Sequence, residues 1–150
     1  MRSVTLAAPW VFLLSLLCLA GNQAPPDLKA RADAAQGSEK VTLSLEYAHQ
    51  ELEHANTLYT EGDVEKAESA IQEVLTYSRQ AETTAAGANK RLKQTEIELR
   101  KIEHRMRDIG ASLSIDDRPP VEKAVQELEQ LRANLLARMF GEKAEPKDKS

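Results

Sequence analysis

Cysteine is almost missing from this 150-residue chain: there is one, Cys18. Aromatic residues make up only 4%. Glycine and proline number six each, too few for a loop-rich β fold. Basic residues do not dominate either, since Lys and Arg total 20 against 24 Asp and Glu, an acidic balance that argues against a nucleic-acid partner. Cys18 lies in the apolar run Trp10–Leu19, which follows Arg2. With small residues at Cys18 and Ala20, residues 1–20 read as a secretory signal with a mature start near Gly21. An uncleaved membrane tether is the alternative, although the run falls short of the ~20 apolar residues that span a bilayer. Leu17 before Cys18 does not fit a lipidation site. Once the signal is removed no cysteine is left, which excludes disulfides, thiolate metal sites and cysteine nucleophiles.

What is present is helix-forming. Ala, Leu, Glu, Lys, Arg and Gln dominate. Residues 21–37, with Pro25-Pro26 and few large apolar side chains, read as a flexible linker with room for one short helix. From Ser38, a capping residue, apolar residues recur at Val41, Leu45, Ala48, Leu52, Ala55 and Tyr59, which predicts a helix over 38–61. Gly62 ends it and Asp63 caps the next. A second seam then steps by three and four from Val64 through Ala67, Ile71, Val74, Ser78, Ala81, Ala85, Ala88, Leu92, Thr95, Leu99, Ile102, Met106 and Ile109 to Leu113, with no charge on it. The unbroken register predicts one helix over 63–109, about 70 Å long. A turn near Gly87 is the alternative. The small residues Ser78, Ala81, Ala85 and Ala88 predict a weakly held hinge, with the close approach of another backbone as the alternative. After the Pro119-Pro120 pair, a last helix is expected over 119–140, and 142–150 is expected to be a disordered charged tail. The fold class is therefore all-α, with one helical domain over 38–141. It is expected to build antiparallel hairpins on a long central helix with coiled-coil-like packing, or a four-helix bundle if the chain breaks near Gly87.

No phosphate loop, nucleophile elbow or zinc-protease motif occurs, so catalytic residues are not expected. Acids on helix surfaces should sit in water with ordinary pKa values. Glu46-x-x-His49 and Glu51-x-x-His54 match the spacing of carboxylate-bridged metal sites, which makes His49, Glu53 and His54 the metal-ligating candidates. Both copies lie on one helix, so an ordinary solvated face is the expectation and no cofactor is implied. Residues 38–86 hold ten acids and three bases, whereas 87–110 hold seven bases and four acids. Lys90, Arg91, Lys93, Arg100, Lys101 and Arg105 are the partner-binding candidates. Their ordinary use is pairing one helical turn away, as in Glu96–Arg100 and Glu103–Arg107. In a folded-back chain the protein's own acidic hairpin would attract them, and in a rod a second copy would.

Leu58-Tyr59-Thr60-Glu61-Gly62-Asp63, followed by Ala67, Ala70, Ile71 and Leu75, resembles a single tetratricopeptide-type helical hairpin over residues 55–75. Arg79 stands near the place of that motif's proline, and no second copy follows, so the resemblance implies no peptide-binding solenoid. The chain is also similar to exported bacterial helical proteins of unassigned function, which implies a cell-envelope setting. The expectation is an exported scaffold or adaptor that binds a protein partner or itself, without nucleic acid and without membrane contact beyond the signal. A small periplasmic ligand- or metal-binding bundle is the alternative.

Overall fold

A computed structural model describes residues 27–141. The stretch expected to be a signal, the first part of the expected linker (21–26) and the expected charged tail lie outside these residues. Among the described residues there are five helices and no strand: α1 (Leu28–Ala34), α2 (Gly37–Glu61), α3 (Val64–Ala88), α4 (Leu92–Ser112) and α5 (Arg118–Gly141). The fold is an all-α helical bundle.

The chain does not run as one helix over 63–109. It takes the alternative of a turn near Gly87: the break falls at Asn89-Lys90-Arg91, and Gly87 itself lies inside α3 with open space around its missing Cβ. Asn89 adopts the left-handed conformation at φ 49°, which its short side chain tolerates better than most. The amide of Lys90 then donates to Ala85 O at 3.1 Å and that of Asn89 to Ala86 O at 3.2 Å. Gly62 ends α2 by the same pair of bonds, Asp63 to Leu58 O at 2.9 Å and Gly62 to Tyr59 O at 3.1 Å. Asp63 caps α3 by accepting from the Lys66 amide. The unbroken apolar register did not require an unbroken helix. Each arm meets the same core on its own side of the turn, so each keeps its own period.

Both arms of that seam are buried. Ile71, Val74, Leu99, Ile102 and Met106 are fully buried, and only Ala88, beside the break, is exposed. Burying each large apolar side chain stabilises by about 2 kcal/mol. The small stretch Ser78, Ala81 and Ala85 is at most 1% exposed, which overturns the hinge reading. Opposite it lie Ser44 and Ala48, both fully buried, and α2 and α3 approach each other along more of their length than any other pair. Small side chains let two backbones come close, and the contact area lost per residue is regained by proximity.

The neighbours follow from this. α4 and α5 run antiparallel, as α2 and α3 do. α2 lies beside α4 and α3 beside α5, whereas α3 and α4 share little contact and α2 and α5 none, so these last pairs sit across the diagonals. Residues 28–34, within the stretch expected as a linker, form α1, which packs on α2 with Ala32 fully buried. Asp33 accepts from Tyr77 Oη at 2.7 Å, and Lys29 bonds Glu73 at 2.6 Å. The Tyr47 and Tyr77 rings beneath meet edge-on at 4.5 Å. No described helix is long and apolar enough to cross a membrane.

Candidate functional site

Four of the residues singled out by sequence, His49, Glu53, Arg91 and Arg105, lie along the strip where α2 runs parallel to α4. Three polar links cross it. Arg91 donates to Thr42 Oγ1 at 2.5 Å and to Ser38 O at 3.3 Å. His49 Nε2 lies 3.3 Å from Glu98. Arg105 reaches Glu53 through two bonds of 2.7 Å. Glu98 and Arg105 lie seven residues apart on α4 and so share one face of the helix, and Arg91 immediately precedes its first turn. Of the basic segment, Arg105 thus reaches an acid of the α2–α3 hairpin and Arg91 a hydroxyl and a carbonyl of α2.

Electrostatics reinforce this strip. Hydrogen bonding from Arg105 is the main influence on Glu53 and holds its carboxyl below the ordinary value, against a burial penalty. Burial presses Glu98 the other way, but its bonds to Lys101 and His49, with their charges, leave the carboxyl lowered. Arg105 is raised by its bond to Glu53. The metal candidates do not converge. His49 meets Glu98, Glu53 meets Arg105, and His54 turns to Glu51 at 3.5 Å. Among the described residues no group of three His, Cys, Asp or Glu is placed to hold a metal ion.

Of the other basic candidates, Arg100 pairs with Glu96 at 2.6 Å and Lys101 with Glu98 at 3.0 Å. Lys90 and Lys93 are exposed and make no ion pair among the described residues.

A second constellation was not visible as such in the sequence. Glu96 and Glu103 are 2% and 1% exposed, contrary to the expectation that acids on this helix are solvated. Arg132 of α5 lies between them, bonding Glu96 at 2.9 Å and 3.1 Å and Glu103 through its other nitrogen. Arg107 pairs with Glu103 at 2.7 Å and also meets Glu129. Burial works against the ionised form of Glu96, yet bonds from Arg100 and Arg132, with their charges, hold its carboxyl below the ordinary value. These carboxylates are saturated by guanidinium groups, so they are poorly suited to acid–base chemistry. The available signal was the spacing: Glu96 and Glu103 each follow a seam residue, one heptad apart.

Beside this network, between α4 and α5, runs an open cleft of about 490 Å³ with Gly110, Val121 and Val125 in its walls. Gly110 permits the close approach there, since a Cβ would meet Val121 Cγ1 at 3.2 Å. Arg118 ties down the end of α4 by donating to Gly110 O and Leu113 O. A groove of about 300 Å³ lies along the α2–α4 strip at Thr42, His49 and Arg91.

Compared with protein-family models, with curated proteins and with solved structures, the chain matches none.

Proposed function

We propose that the chain is an exported helical scaffold or adaptor that acts through helix-mediated protein–protein association in the cell envelope. The observation that carries this reading is the end of the bundle where α3 turns into α4 and α5 finishes. Phe140 is 68% exposed there, and Arg138, Lys90 and Lys93 are exposed at the same end without ion-pair partners among the described residues. An exposed apolar residue at an end that also carries cations suits a partner that offers an apolar pocket and an acidic rim. The same reading takes α2–α3 and α4–α5 as two stacked antiparallel hairpins, the first carrying the tetratricopeptide-like stretch. Export rests on the apolar character of residues 10–19. The ligand- or metal-binding alternative has less support, because each of His49, Glu53 and His54 is engaged by a different side chain.

The test is a photo-crosslinking residue at position 140 in the full chain expressed in its own cells. A discrete adduct is expected at 140. It should weaken when Lys90 and Lys93 are changed to Glu, while a probe at exposed Ser69 on α3 gives none. Equal labelling at both positions would sink the reading.

A further inference from the structure

We propose that two copies of this chain associate by exchanging their α4–α5 halves, with α3 and α4 joined into one continuous helix through Asn89–Arg91. This goes beyond the association reading, which concerns the Phe140 end, by adding a second copy of the chain as a partner through the faces between the two hairpins.

The first support is register. The apolar positions keep step from Val64 to Leu113 straight across the turn. The closed form does not need that phase, because α3 and α4 face the core independently across its diagonal. The exchanged form does need it. On a straight helix the two arms must present their seams on one face. Two antiparallel copies can then oppose each other along their whole length, and α4–α5 of each packs on α2–α3 of the other. A slip of two residues at the turn would rotate α4 by about half a turn and remove that match.

The second support is the hinge. Both Asn89 (φ 49°) and Arg91 (φ 59°) are non-glycine residues held in the left-handed region, and straightening returns both to helical angles. Gly87 has open space around it, and Ala88 is exposed, so neither obstructs extension. Short strained turns favour exchange over closure.

The third support is the join between the halves. Contact within α2–α3 and within α4–α5 is more extensive than between them. Between the halves the buried faces are supplemented by Thr42–Arg91, His49–Glu98, Glu53–Arg105 and Arg79–Glu127. The three links outside the hinge, His49–Glu98, Glu53–Arg105 and Arg79–Glu127, can re-form between two chains, so exchange keeps them and relieves two strained residues per copy, while the Arg91 contact changes with the hinge.

The experiment is chromatography with mass measurement and small-angle scattering of the full chain across a concentration series. The fused helix is about 75 Å long, against about 38 Å for α3 alone. Asn89→Ala favours the helix and penalises the turn, so its dimer association constant should rise by roughly tenfold or more. Asn89→Gly should lower it, and two glycines inserted after Asn89 should leave a monomer. In a Cys18→Ser, Glu53→Cys, Arg105→Cys chain, a short bis-maleimide should join two chains in the dimer and close within one chain in the monomer. Asn89→Ala staying monomeric at native helicity would overturn the exchange, as would a dimer linked only within chains. If Asn89→Ala loses its helicity, the wild-type concentration series with the cross-link decides in the same way. Position 140 still labelling another protein while this chain stays monomeric would remove the exchange and leave the association reading standing.

Discussion

Arg105 and Glu53, 52 positions apart in the chain, meet as a two-pronged guanidinium–carboxylate pair with both bonds at 2.7 Å. Both side chains are substantially exposed, 41% and 58%. Solvent and salt therefore weaken the pair, and its coupling should be modest. A double-mutant cycle with Arg105→Gln and Glu53→Gln in urea unfolding is expected to give about 0.5 kcal/mol, decreasing at high salt. A coupling of zero at low salt would mean that this link does not help to hold α4 on α2.

The Arg132 network should behave differently because it is buried. Arg132→Met leaves Glu96 and Glu103 short of a partner and is expected to cost about 3 kcal/mol. Replacing all three together, with Glu96→Leu, Glu103→Leu and Arg132→Met, should cost far less or stabilise. Equal losses for the single and triple variants in chemical denaturation would contradict this account.

Acid should act on the same groups. The carboxyls of Glu53, Glu96 and Glu98 are lowered in the folded protein. Each therefore contributes stability that is fully present above the ordinary carboxylate pKa, about 4.3 for Glu, and is lost as pH falls through the lowered folded value. Thermal midpoints should drop from about pH 6 to about pH 3, and Glu96→Gln should flatten that slope. An unchanged slope would show that Glu96 is not one of the groups responsible.

Close packing of α2 on α3 makes the small residues there intolerant of growth. Ala81→Leu is expected to cost about 1–3 kcal/mol in urea unfolding, whereas a loose hinge would accept or welcome it. Ser78, fully buried with no partner for its hydroxyl among the described residues, should behave oppositely: Ser78→Ala is expected to be neutral or stabilising by about 1 kcal/mol.

Two glycines should respond with opposite signs. Gly87 is helical with room around it, so Gly87→Ala is expected to stabilise by about 0.5–1 kcal/mol. Gly62 sits at φ 82°, so Gly62→Ala should destabilise. Denaturation midpoints moving in the same direction for both would show that the turn positions are misassigned.

Much of the fold was legible because periodic burial is a local property. The spans of α2 and α5, and the Gly62–Asp63 turn, follow from spacing and capping residues alone. The choice between a continuous helix and a turn near Gly87 was not legible, since a seam shared by two arms looks the same whether the helix continues or folds back. Gly87 drew attention as the obvious breaker, but Asn can hold the left-handed angle that ends a helix. Helix α1 was obscured because Leu28 and Ala32 are too few apolar residues to show a period, and its docking depends on Tyr47 and Tyr77 far along the chain. The candidate strip was half visible: spacing singles out His49 and Glu53 for metal, and charge singles out Arg91 and Arg105 for a partner or, in a folded-back chain, the protein's own acidic hairpin. Their true neighbours are set by the parallel packing of α2 on α4, which no single-helix pattern reveals. Burial of Glu96 and Glu103 depended likewise on Arg132, 36 and 29 positions away.

The span of Arg132 across both Glu96 and Glu103 has a consequence for how α4 and α5 find their alignment. Leucines repeating every seven residues fit almost as well after a shift of one heptad, so a purely apolar seam permits sliding. Such a shift would bring Arg132 opposite Gly110 or Asn89 in place of one carboxylate, leaving an acid stranded. The arginine works like a key cut for two notches, and only one alignment of the pair accepts it.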